Sequence, residues 1–230
     1  MKRVVFLLGS PRGVKTGTES IADYLGERLP GFEVEKWRAH QMFRDSERVA
    51  AFADSLRGAH LLVLCTPVYV HSLPWPFQEV LTALADAPTR DGLSGLKVMT
   101  VIHSGYFEDV QRQTCFEMCR HFCRETGMVY RGGLGFGASP LIAGRPLEST
   151  GRVMRWVRRA LDEMATCIAD DRELSERATA LIRRHFALMP KRLMIPLMKM
   201  KIERDAKKAG LDYRARPYAI GEPAATTIDA

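Results

Sequence analysis

The chain has 230 residues, 46% of them hydrophobic, and a formal net charge of +7, a balance that allows a sizeable buried core and excludes an intrinsically disordered protein. No stretch reaches the ~18 consecutive apolar residues of a membrane span, and the apolar run after Met1-Lys2-Arg3 stops at Gly9, short of the roughly 7–15 residues of a secretory signal core. Five cysteines form no dense disulfide framework, so reduced thiols and a cytoplasmic location are expected.

In chain order, Val4-Val5-Phe6-Leu7-Leu8 reads as a strand. Gly9-Ser10-Pro11-Arg12-Gly13-Val14-Lys15-Thr16-Gly17-Thr18-Glu19-Ser20 follows as a loop, and a helical pattern begins at Ile21. Free N–H groups at a helix start, the hydroxyls of Ser10, Thr16, Thr18 and Ser20, and the Arg12 guanidinium can all turn toward one anion. The alternative is an ordinary βα loop whose Ser and Thr only cap the helix. The stretch matches neither G-x-x-x-x-G-K-[ST] nor G-x-G-x-x-G, which disfavours a Walker nucleotide site and a dinucleotide fingerprint.

Ile21, Leu25 and Leu29 share a helix face that ends near Pro30-Gly31, and the alternation of residues 32–37 suggests a half-exposed edge strand. A helix is expected over 46–57, with Val49, Phe52, Ala53 and Leu56 as its buried stripe. Ala59 to Cys65 is a continuous apolar run, as a central parallel strand requires. It leads into Thr66-Pro67-Val68-Tyr69-Val70-His71-Ser72-Leu73-Pro74-Trp75-Pro76, where Tyr69, His71 and Trp75 offer aromatic surface or simply pack, and a helix starts at the prolines. Leu96 to Ile102 forms the next strand and opens into His103-Ser104-Gly105-Tyr106-Phe107-Glu108-Asp109. A helix at 109–126 and a glycine-interrupted strand over Met128 to Gly137 complete five strands alternating with helices. That pattern predicts an α/β doubly wound parallel sheet of order 2-1-3-4-5, with the three loops converging at the carboxyl ends of the strands.

Cys115, Cys119 and Cys123 repeat every four residues on one helix, but further ligands at zinc-like spacing are missing, so no metal is expected. A basic amphipathic helix is expected from Ser149 to Cys167, with Val153, Trp156, Val157, Ala160, Leu161 and Met164 on its apolar face. Helices at 174–188 and 191–209 follow, the latter interrupted by Pro196, and then a tail of little pattern. Residues 149–217 hold 17 Lys and Arg against 9 Asp and Glu, so the basic character belongs to these helices. The expected division is 1–170 for the α/β domain and 171–230 for a helical extension.

The three loops together resemble the flavodoxin-like family of NAD(P)H-dependent FMN reductases, over about residues 3–170. Gly9-Ser10-Pro11-Arg12 with Thr16, Thr18, Glu19 and Ser20 is similar to the loop that wraps the FMN phosphate in that family. Pro67, Val68, Tyr69 and Val70 resemble the loop bordering the isoalloxazine, and Ser104, Gly105 and Tyr106 the loop along its other edge. The resemblance implies a flavodoxin-like fold, bound FMN with NAD(P)H as co-substrate, and transfer of hydride through the flavin to a small acceptor: a quinone, a nitro or azo compound, or free flavin. It also implies a homodimer. A flavodoxin-type electron carrier without its own substrate is the competing reading; carriers of that kind are shorter and acidic. Weak contact of the basic helices with an anionic membrane surface is a further option, whereas their sparse aromatics speak against specific nucleic-acid binding. Hydride transfer asks for no proton-moving side chain, so no catalytic residue is named.

Overall fold

A computed structural model describes residues 2–86, 90–187 and 191–215. Five parallel strands, β1 (Lys2–Leu8), β2 (Phe32–Arg38), β3 (Leu61–Pro67), β4 (Lys97–His103) and β5 (Val129–Phe136), form one sheet in the order β2-β1-β3-β4-β5, as the sequence pattern predicts. Every residue of β3 is buried, because helices cover both faces of this central strand, while β2 at the edge keeps the half-exposed pattern of its alternating sequence.

Alternate residues of each strand serve opposite layers. Val4, Phe6 and Leu8 join the core beneath α1 (Gly17–Gly26) and α5 (Arg155–Ala169), whereas Val5 and Leu7 face α2 (Ser46–Leu56), α3 (Trp75–Asp86) and α4 (Val110–Thr126). Ala178 and Ile182 of α6 (Glu176–Ala187) enter the first of these cores. The chain divides into two compact units after Phe186; the second contains α7 (Lys191–Lys208), which carries Pro196 within it. Among the described residues no helix is long and apolar enough to cross a membrane. The patternless tail from 216 onward lies outside the described residues.

Two helix starts differ from the sequence reading. The first helix begins at Gly17, four residues before Ile21, because Thr16 caps it: the Thr16 hydroxyl accepts from Glu19 N at 3.1 Å. The basic helix begins at Arg155 and not at Ser149, since Gly151 at φ 62° breaks the run; Val153 therefore lies outside it, exposed, while Trp156, Val157, Ala160, Leu161 and Met164 are buried as expected.

The glycines of β5 have a packing cause. The register between β4 and β5 shifts between Val98 and Thr100, so that Arg131 and Gly132 together stand opposite Met99 as a bulge. Beyond it Phe116 of α4 lies flat against the strand, and a Cβ on Gly133 would sit 2.7 Å from the Phe116 ring and overlap the Thr100 hydroxyl. Gly133→Ala is accordingly expected to lower unfolding stability by about 2 kcal/mol through overpacking, measured by urea denaturation. An unchanged midpoint would show that the Phe116 contact is slack.

Candidate functional site

Parallel strands release their chains at one edge of the sheet, and the crossover directions reverse between β1 and β3, so the loops leaving these strands diverge and open a crevice. A cleft of about 580 Å³ lies there. Of the thirteen residues singled out in the sequence, eleven line it: Ser10, Arg12, Thr16 and Thr18 from the first loop and helix start; Pro67, Val68, Tyr69 and Val70 after β3; Ser104, Gly105 and Tyr106 after β4.

Glu19 and Ser20 do not line it. They belong to the first turn of α1, where each residue rotates roughly 100° from the last. The Ser20 hydroxyl instead donates to the Thr16 carbonyl at 3.1 Å. Thr16-x-x-Glu19 has the spacing of a capping box, in which the carboxylate would return to the cap's own N–H. Here it goes elsewhere: Arg38 at the end of β2 grips it through Nη2 at 2.6 Å and Nε at 3.2 Å, with Lys36 Nζ at 3.6 Å. The backbone N–H groups of Thr16, Gly17 and Thr18 find no acceptor among the described residues, that of Thr16 because the carboxylate that could take it is held by Arg38, those of Gly17 and Thr18 because a helix start has no internal acceptor for them. Three N–H groups at the positive end of a helix, two threonine hydroxyls, the buried Ser10 and the cations Arg12 and Lys15 surround a space that no carboxylate lines. The donor set suits a phosphate.

The fourth side was not legible in the sequence. Residues after β5, namely Ser139, Pro140, Ala143 and Gly144, close the cleft against Lys15. Gly144 has φ 71°, and a Cβ there would overlap the Lys15 carbonyl, so only glycine lets the two loops touch. The available signal was the small-residue run Gly137-Ala138-Ser139 at the end of an edge strand, which carries no phosphate-loop pattern. Lys15, Gly17 and His103 also line the cleft without having been singled out as binding residues. Trp75 turns away from it, packing edge-on against Phe43 at 5.0 Å beneath Arg44, and His71 does not line it.

The cleft loops are strained and held from behind. Five of the six non-glycine residues at positive φ among the described residues, Lys15, Val70, His71, Ala138 and Ala143, lie in them, and a β-branched Val70 at φ 49° is especially unfavourable. Val70 and His71 form the tip of a tight turn in which Tyr69 and Ser72 exchange both backbone hydrogen bonds at 3.0 Å. The loop after β4 is clamped by Arg112 of α4, a guanidinium only 1% exposed. It donates to Ser104 Oγ at 2.7 Å, to the carbonyls of Tyr106 at 3.2 Å and Phe107 at 3.3 Å, and to Asp109 Oδ1 at 2.5 Å. Burial pulls the Arg112 pKa below its ordinary value, opposed by the Asp109 carboxylate. On the opposite wall the Ser10 carbonyl accepts from His40 Nδ1 at 3.1 Å.

All five thiols are buried, and burial pushes Cys115 up to about 11 and Cys123 up to about 12, which leaves them protonated at neutral pH. Among the described residues no group of three or more His, Cys, Asp or Glu side chains could hold a metal ion.

Comparison with known proteins agrees with the fold. Residues 2–134 match the family profile of the NADPH-dependent FMN reductases. Among solved structures, an NADH:FMN oxidoreductase in its apo form superposes with a TM-score of 0.56 at 12% identity, covering 78% of this chain and 94% of that one. An FMN-dependent NADH-azoreductase from Bacillus anthracis, in complex with FMN, gives 0.55 at 10% identity, covering 74% and 100%. At such identities these two likenesses are of fold alone. No curated protein matches the chain.

Because the Arg112 fork satisfies several loop acceptors that Leu or Lys cannot reach together, Arg112→Leu is expected to cost about 3 kcal/mol of stability, and Arg112→Lys nearly as much. Hydrogen exchange should accelerate in residues 104–109 in both variants. Full recovery in the lysine variant would show that charge, and not the fork, holds the loop.

Proposed function

The chain belongs to the NADPH-dependent FMN reductase family and is an FMN-dependent oxidoreductase with NAD(P)H as co-substrate; on that premise we propose that the cleft at the ends of β1, β3 and β4 holds the flavin and passes reducing equivalents to a small acceptor, a quinone, a nitro or azo compound, or free flavin. The observation that carries the assignment is the open N-terminus of α1, with N–H groups that have no acceptor among the described residues and the Glu19 carboxylate drawn off by Arg38. The chemistry that FMN supplies when bound is two-electron redox chemistry, with hydride received from the nicotinamide.

The protein's share is binding and orientation. In this reading Ser10, Thr16 and Thr18 donate to the phosphate together with the free backbone N–H groups, and Arg12 neutralises part of its charge. Pro67 to Val70 and Ser104 to Tyr106 border the flat ring on two sides. The loop strain and the Arg112 clamp fix these borders before the ligand arrives, which spares ordering entropy on binding. Tyr69 and Tyr106, 43% and 69% exposed, stand at the mouth, where a nicotinamide and then an acceptor would stack within roughly 3–3.5 Å of the ring. Glu19 acts differently from the sequence reading: held by Arg38 outside the cleft, it leaves the helix start open and does not touch the anion. In this reading a homodimer is carried by the family resemblance, and a cytoplasmic location by the short N-terminal apolar run and the five cysteines.

Purified protein is expected to be yellow, and to bleach anaerobically on addition of NADPH or NADH. Colourless protein that takes up no FMN would end the proposal, and flavin-loaded protein reduced by neither nicotinamide would turn it toward an electron carrier. The role given to Arg38 has its own check. Arg38→Gln should release the Glu19 carboxylate toward the Thr16 N–H and weaken FMN binding roughly tenfold, the worth of about one charge-assisted hydrogen bond. Adding Glu19→Ala, which leaves no capping oxygen, should restore it; no recovery in the double variant would assign the loss to the fold of β2.

A further inference from the structure

His103 ends β4 only 4% exposed, stacked on Phe136 with ring centroids 6.1 Å apart. Its Nε2 lies 2.9 Å from Thr18 Oγ1, joining the ends of two strands' loops, while Nδ1 is buried with no hydrogen-bond partner among the described residues. Burial pulls the ring's pKa down to about 3, so at neutral pH it carries one proton. Two tautomers satisfy the Thr18 contact. With the proton on Nδ1, a ring N–H is buried without an acceptor, and the Thr18 hydroxyl gives its own proton to Nε2. With the proton on Nε2, the ring donates to Thr18 and leaves only a lone pair bare, the lesser of the two penalties.

The choice matters to an anion. A threonine that has given its proton to His103 presents oxygen lone pairs to the cleft and repels a phosphate. A threonine that accepts from His103 keeps its proton, and no other acceptor for it exists among the described residues. We propose that His103 is a positioning residue of the phosphate cradle: its Nε2–H donates to Thr18 Oγ1 and so commits the Thr18 hydroxyl as a donor into the cleft. The inference rests on the phosphate reading of the cleft and assigns to His103 what that reading leaves open. It also accounts for the bare Nδ1. A second proton there would have no acceptor, so the ring stays neutral and Thr18 keeps a single orientation.

The test uses full-length protein stripped of flavin and titrated separately with FMN and riboflavin, following flavin fluorescence. His103→Phe keeps the ring and its stacking but has no N–H; His103→Gln carries an amide N–H at about the reach of Nε2. The phenylalanine variant should bind FMN about tenfold more weakly with riboflavin binding unchanged, and the glutamine variant should regain most of the difference. Combined with Thr18→Val, His103→Phe should add no further loss, since both act through one hydrogen bond. Nitrogen NMR of the unmodified protein should find the His103 proton on Nε2, a readout that holds even if the phenylalanine variant does not fold. A proton on Nδ1, equal losses for FMN and riboflavin, or additive effects with Thr18→Val would overturn the proposal. Unmodified protein that binds both flavins alike would instead remove the phosphate reading beneath it, whereas a preference for FMN that persists undiminished in His103→Phe would remove only the part given to His103.

Discussion

The candidate site depends on backbone N–H groups that have no partner among the described residues, at the start of α1 where the sheet's connections change direction. A helix cannot satisfy its own first N–H groups, and a parallel sheet delivers the next loop to the same edge. Between them these two facts produce a cleft with a positive end and walls on either side. The other elements around it either keep those N–H groups open or hold the walls still.

Keeping them open is an electrostatic matter. Glu19 stands at the helix position from which a carboxylate ordinarily caps the turn, yet Arg38 binds it in a two-pronged contact on the side away from the cleft. The neutral ring of His103 reaches Thr18 from below without adding a charge. Among the described residues the cleft is thus lined by donors and two cations and by no carboxylate, with Glu19 already paired to Arg38, a balance complementary to an anion.

Holding the walls still falls to residues that touch nothing in the cleft themselves. Arg112 reaches the loop after β4 from the core side, and the close approach of Gly144 to Lys15 ties the segment after β5 to the loop after β1. Left-handed backbone at Val70, His71, Ala138 and Ala143 persists because these contacts over-determine it. Strain of this kind, gathered in the loops of one cleft, is what a preformed binding site requires.

By itself the sequence determined the alternation of strands and helices and the three loops with hydroxyl, glycine and aromatic residues, because hydrophobic periodicity and turn chemistry are local properties of the chain; the order of the sheet was expected only from the fold class that this alternation suggests. It placed the loop after β1 but ran it four residues too far, since whether Thr16, Thr18 and Ser20 lie in a loop or on a helix turn depends on where a single cap hydroxyl closes. Only the tertiary structure decided that Glu19 faces Arg38, that Arg112 clamps a loop several residues before it, and that His103 meets Thr18 across 85 positions. Those pairings are set by which strands become neighbours and which faces their side chains take, and a partner brought in by sheet topology leaves no spacing in the sequence to read.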